Sequence, residues 1–141
     1  MPIQIITTSQ APDAKPIGKS ASLTTNWTTI IEVPSYEVPE ETFGSGTQIV
    51  PGVAEIISPL IVTNKTSTTE TFSIRVFRDS ELTYFTIIDS LPVSPNDAIF
   101  FPLNGQFIFA GDLLEILASA DNSLDITISY TIGQAEEDDV V

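Results

Sequence analysis

With 141 residues, 42% of them hydrophobic, the chain is long enough for one domain with a real core, since a chain of this size buries roughly 68–70% of its unfolded surface. It contains neither Cys nor His, which excludes disulfides, thiolate zinc sites, Cys nucleophiles and every mechanism that needs a histidine base or ligand. A net charge of −14, with five basic residues against 19 acidic ones, leaves no basic patch to grip phosphates; this argues against nucleic-acid and anionic-membrane binding, and for an acidic surface that meets a basic or apolar partner.

Residues 1–21 read as an extended arm. Pro2, Pro12 and Pro16 block helix, and one short β-like run, Ile3 to Thr7, is too brief to form a core. The arm is either disordered or laid onto a neighbouring subunit, and Ile3 and Ile5, costly to leave in water, favour the second. No basic stretch followed by a long apolar one begins the sequence, and no run approaches about 18 apolar residues; neither a signal peptide nor a spanning helix is expected.

Residues 22–133 read as strand after strand. In "WTTIIEV", Trp27, Thr29, Ile31 and Val33 share one face, with Trp27 expected in the core, until Pro34 stops the run. "PSYEVPEETFGSG" is a long polar loop whose Tyr36 and Phe43 are exposed aromatics suited to anchor a contact. "VAEIISPLIVTN" is apolar on both faces; Pro59 cannot donate to a ladder, so this is an edge strand open to another copy, or a strand with a bulge. "TFSIRVFR" points Phe72, Ile74 and Val76 inward and Ser73 and Arg75 outward.

"LTYFTII" is the next strand, followed by a proline-marked polar link, "DSLPVSPND". "AIFFPLNGQFIFAGD" gives two short strands around a hairpin signal at Asn104-Gly105, then a turn at Gly111-Asp112. "LLEILASA" buries Leu114, Ile116 and Ala118, and "LDITISYT" buries Leu124, Ile126, Ile128 and Tyr130. Roughly eight strands with no capped amphipathic helix point to an all-β antiparallel β-sandwich, jelly roll or small barrel. Residues 134–141 form an acidic tail: Glu136, Glu137, Asp138 and Asp139 repel one another and stay solvated, or else strap onto a basic patch with Val140 and Val141 in an apolar groove.

No catalytic pair stands out. Glu115 and Asp125, on outward faces of strands read as adjacent, are surface charges, and "DNSLD" (Asp121 to Asp125) lacks the glycine and distal glutamate of a calcium loop, so turn chemistry accounts for it. "NWT" at Asn26 and "NKT" at Asn64 match a glycosylation acceptor. Trp27, Tyr36, Phe43 and Tyr84 are the residues from which a sugar-binding platform would be made. No enzyme activity, cofactor or metal is expected.

The half of the chain from Val53 to Gly133 resembles small virion structural proteins of tailed bacteriophages, especially myoviruses of marine cyanobacteria. The resemblance is carried by Asn64, Thr66, Leu103, Asn104, Gly105, Gly111, Asp112, Leu114, Ala118, Ala120 and Ser129. It implies a virion component present in many copies and assembled in the host cytoplasm. A capsid decoration (cement) protein, contacting the major capsid protein or other virion proteins and its own copies, is the first expectation. A neck, tail or fibre-attachment subunit is the alternative, and a carbohydrate-binding surface module the third.

Overall fold

The computed structural model describes residues 16–39 and 47–134. They form eleven strands: β1 (Pro16–Ser22), β2 (Thr28–Glu32), β3 (Ser35–Pro39), β4 (Thr47–Ile56), β5 (Leu60–Asn64), β6 (Glu70–Arg78), β7 (Thr83–Val93), β8 (Ala98–Phe101), β9 (Phe107–Phe109), β10 (Leu113–Ala118) and β11 (Leu124–Gln134). The chain is all-β, and every pairing is antiparallel. One sheet has seven strands in the order β3-β4-β11-β5-β8, with β1 on β11 and β9 on β4; the other has four, β2-β10-β6-β7. Alternation in both sheets supplies one core, where Ile56, Val62, Ile126 and Ile128 of the first sheet meet Phe72, Ile74, Leu114 and Ile116 of the second.

β11 is the spine of the larger sheet. Tyr130 stands opposite both Ile17 of β1 and Ile56 of β4, and Ile126 opposite both Ala21 of β1 and Val62 of β5. β4 and β5 therefore run in line along one side of β11, with β1 along the other. Pro16–Ser22 belongs to the sheet, so the described sandwich begins inside the stretch expected to be arm.

Pro59 does not lie on a sheet edge. It sits at a bulge where four residues, Ile57–Leu60, face only Ile128 and Ser129 of β11. Here the Ser58 hydroxyl accepts the Ser129 N–H at 2.9 Å, and the Ile57 N–H donates to the Ser129 carbonyl at 3.0 Å. The far side of β4–β5 is covered too, by β9 and β8. Nor is Asn104-Gly105 a hairpin turn: β8 and β9 pair with β5 and β4 respectively, not with each other. Gly105, at φ 94°, turns the chain so that its N–H reaches the Ile56 carbonyl at 2.8 Å.

Two further departures have local causes. The register of β2 on β10 shifts between Leu114 and Glu115, so Ile30 and Ile31 are both buried and the alternation from Trp27 to Val33 breaks. β7 continues through the expected polar link to Val93, with Ser90 at φ 56° where its register on β6 slips. The chain crosses between sheets at Val33-Pro34, where the Gly52 N–H donates to the Pro34 carbonyl at 3.0 Å; a Cβ on Gly52 would stand 2.4 Å from that oxygen.

Candidate interaction surfaces

The outer face of the four-strand sheet carries a stacked cation. Arg75 points away from the core, as its alternation with Ile74 and Val76 requires. Its guanidinium lies 4.2 Å from the Trp27 ring centre and 3.8 Å from that of Tyr84. Its Nε donates to Glu115 at 2.7 Å, and Phe77 packs against Tyr84 with ring centres 5.0 Å apart. Trp27 is thus half-buried on this outer face rather than in the core. Glu115 is outward as expected but covered, its carboxylate held by Arg75. β10 and β11 lie in different sheets, so Glu115 and Asp125 are not on adjacent strands.

A second cation closes a corner. Arg78, at the end of β6, gives Nη1 to Asp112 at 2.8 Å and to the Phe107 carbonyl at 3.0 Å. The same carboxylate accepts the Phe109 N–H at 3.0 Å and the Asp79 N–H at 2.9 Å. Gly111 (φ 89°) leads into it, and a Cβ there would fall 2.7 Å from the Asp79 side chain.

Asn64 is buried with both ends of its amide committed. Its nitrogen donates to the Thr68 and Val93 carbonyls at 2.8 and 3.0 Å, and its oxygen accepts from the Thr66 N–H and hydroxyl at 2.8 and 2.7 Å. A side chain held this way is not an acceptor for a glycan in the folded chain. In the "DNSLD" turn, Asp121 accepts the Thr25 N–H at 2.8 Å, while Asp125 receives the Ser22 hydroxyl at 2.5 Å and Lys65 at 3.0 Å. The Ser22 hydroxyl, and after it Lys65, hold the Asp125 carboxyl below its ordinary value; the Ser119 and Thr68 hydroxyls do the same for Glu70.

The apolar surface lies at the side of the sandwich where β7 ends one sheet and β8–β9 bound the other. On the β7 side Leu82 is 75% exposed, and Tyr84, Phe85 and Ile87 are exposed with it; on the other, Phe100 is 65% exposed and the Phe107 and Phe109 rings stack at 6.4 Å. Between the two edges a cleft of about 210 Å³ is lined by Phe85, Ile87, Leu103, Ile108 and Leu114, with Arg78 and Gln106 at its polar points. Exposed apolar area of this kind on an otherwise acidic surface marks a contact face.

Of the residues expected at interfaces, Tyr36 is on β3, its ring against Gly52, and burial raises its phenol above the ordinary value. It belongs to the larger sheet, apart from Trp27 and Tyr84, so the four expected platform aromatics do not come together. Pro59 is half-buried at its bulge. Ile3, Ile5, Phe43, Glu136, Glu137, Asp138, Asp139, Val140 and Val141 lie outside the described residues. Sequence reasoning missed the β7 side: "LTYFTII" is equally apolar whether central or at an edge, and only the pairing order reveals which. No family model matches the chain, and no curated protein is similar to it in sequence.

Proposed function

We propose that the chain is a structural component of a tailed-phage virion, a capsid decoration protein that stabilises the head shell by binding only its assembled form. The observation that supports binding to a partner is the apolar side between β7 and β8–β9. It sits on a small acidic domain whose two best-held acids, Glu115 and Asp112, are tied to Arg75 and Arg78. A chain so built offers a surface to a partner rather than a cleft to a substrate, and the reading is of a non-enzyme.

The fold reading that accompanies it is a jelly roll of eight strands. Its support is the pairing order, once β4–β5 is taken as one strand broken at the bulge, β8–β9 as one broken at Asn104-Gly105, and β3 as the run of β2 carried across Pro34. The first strand then pairs the eighth (β1 with β11), the second the seventh (β2 with β10), the third the sixth (β4–β5 with β8–β9) and the fourth the fifth (β6 with β7). That is a long hairpin rolled into two sheets. Fold alone does not give function; the virion assignment rests on the resemblance of Val53 to Gly133.

The test is copy number in purified particles of the encoding phage, by quantitative mass spectrometry against the major capsid protein. Hundreds of copies support decoration. A few to a few dozen transfer the chain to the neck, tail or fibre, and absence from the particle ends the virion reading. One observation favours a carbohydrate-binding alternative, the Trp27–Arg75–Tyr84 stack; glycan-array binding abolished by Tyr84→Ala would support it, and no binding by the intact chain would end it.

A further inference from the structure

We propose that β7 is an acceptor edge, and that its occupant is Ile3–Thr7 of a second copy of this chain, added as a further strand with isoleucine side chains in the cleft. The proposal deepens the assembly reading above and rests on it.

The acceptor comes first. Among the described residues β7 pairs only with β6, so one row of its backbone N–H and C=O groups is open. Edges of this length are normally guarded by charge, proline or a bulge. The second half of β7 is guarded by Asp89, by Pro92 and by the register slip around Ser90, and a second slip falls at Ile87, where Ile74 and Arg75 of β6 face Ile88 and Thr86. The first half, Thr83–Thr86, carries no charged residue, no proline and no slip, and has an apolar flank. Phe85 and Ile87 face the cleft and remain exposed at its rim. An open ladder beside a pocket for alternate side chains is the arrangement that accepts an extended peptide.

The donor follows from sequence and charge. "IQIIT" sets Ile3 and Ile5 two residues apart, so that in an added strand both would share one face. Residues 1–15 carry one acid and one base, Asp13 and Lys15, in a chain of net charge −14. Neutral segment against neutral edge is the contact between copies that escapes their mutual repulsion. Fifteen residues precede Pro16, and a fully extended chain of that length would span about 50 Å. They leave from β1, at the opposite edge of the larger sheet from β8–β9. Donor and acceptor therefore lie on opposite sides of one copy, the head-to-tail geometry that joins neighbours in series.

The chain has no Cys, so a disulfide between introduced cysteines reports this contact alone. Full-length Ile5→Cys and a size-tagged full-length Ile87→Cys are mixed and mildly oxidised, with Ile3→Cys as a second donor. The expected product is the mixed covalent dimer, lost when Phe85→Glu is added to the acceptor chain. No mixed dimer with either donor overturns the proposal. So does a disulfide formed only within a single chain carrying both cysteines, which would place the strand on its own copy. A chain counted in hundreds per particle that yields no mixed dimer defeats this inference and leaves the virion reading standing; a mixed dimer from a chain absent from particles does the reverse.

Discussion

The Asp112 carboxylate and the Arg78 guanidinium meet at 2.8 Å with the Asp112 side chain only 4% exposed, and they join the end of β6 to the start of β10 and to β9. Because the same carboxylate caps two backbone N–H groups, removing it strands three donors at once. Asp112→Ala is expected to cost about 3 kcal/mol, read from urea denaturation, and Asp112→Asn less, since an acceptor oxygen remains. A loss under about 1 kcal/mol would mean that water replaces the carboxylate without penalty.

Asn64 makes the same kind of prediction with neutral groups. Asn64→Ala leaves the Thr68 and Val93 carbonyls and the Thr66 N–H without their partner at a buried position, and is expected to cost about 2–3 kcal/mol. Thr66→Val, which removes one hydroxyl from the same knot, is expected to cost about 1 kcal/mol. Chemical denaturation of the two variants checks the order; equal losses would contradict the assignment of the knot to Asn64.

Trp27 is the single tryptophan, so its fluorescence reports the stacked cation directly. Arg75→Ala exposes the indole face and leaves Glu115 without its ion pair. The emission maximum is expected to move to longer wavelength, with about 1–2 kcal/mol lost. Arg75→Lys keeps the charge but not the flat guanidinium, and is expected to fall between Arg75→Ala and the native chain. An unchanged spectrum in Arg75→Ala would dismiss the stack.

Asp125 gives the pH dependence a sign. Its folded-state pKa is depressed below 3.8 by the Ser22 hydroxyl and then Lys65, so its contribution is present above the unfolded value and lost as pH falls through the folded one. The melting-temperature gap between the native chain and Asp125→Asn is expected to stay constant from about pH 7 to 5 and to close below about pH 4. With both partners of the Lys65 pair 45% exposed, the gap is small, under about 1 kcal/mol. At the alkaline end burial raises Tyr130 above 10.0, so its contribution holds below that value and is lost as pH rises beyond it. A gap that widened in acid would reverse the assignment at Asp125.

The strands were legible where one face is buried and alternation is undisturbed: "TFSIRVFR", "LLEILASA" and "LDITISYT" lie as their patterns require. Legibility failed at bulges, because a one-residue slip reverses the faces and leaves no mark on composition. Trp27 reads as a core residue across such a slip; at Pro59 the sequence allows an edge or a bulge, and the structure has the bulge, bridged by Ser58, in the sheet interior. Asn104-Gly105 has the residues of a hairpin turn, yet β4–β5 captures both flanking strands. The interaction surfaces were harder still. Phe85 and Ile87 are left in solvent at the edge position of β7, and Phe107 and Phe109 by their alternation with buried Ile108 on β9. Asn64, Thr66, Gly111 and Asp112, turn signals in the sequence, are positions that hold turns in place.

The place of β11 has a consequence for how the molecule is made. The strand that holds β1, β4 and β5 together is the last of the described strands to leave a ribosome. Until β11 has been synthesised, β1 lacks the strand it pairs with among the described residues, and the column of β4, β5, β8 and β9 lacks its inner neighbour. The four-strand sheet, complete once Ala118 is made, would meanwhile present Phe72, Ile74, Leu114 and Ile116 with only part of their cover. Closure is therefore late and dominated by distant pairings, a topology that folds in milliseconds to seconds and whose nascent form depends on being finished quickly.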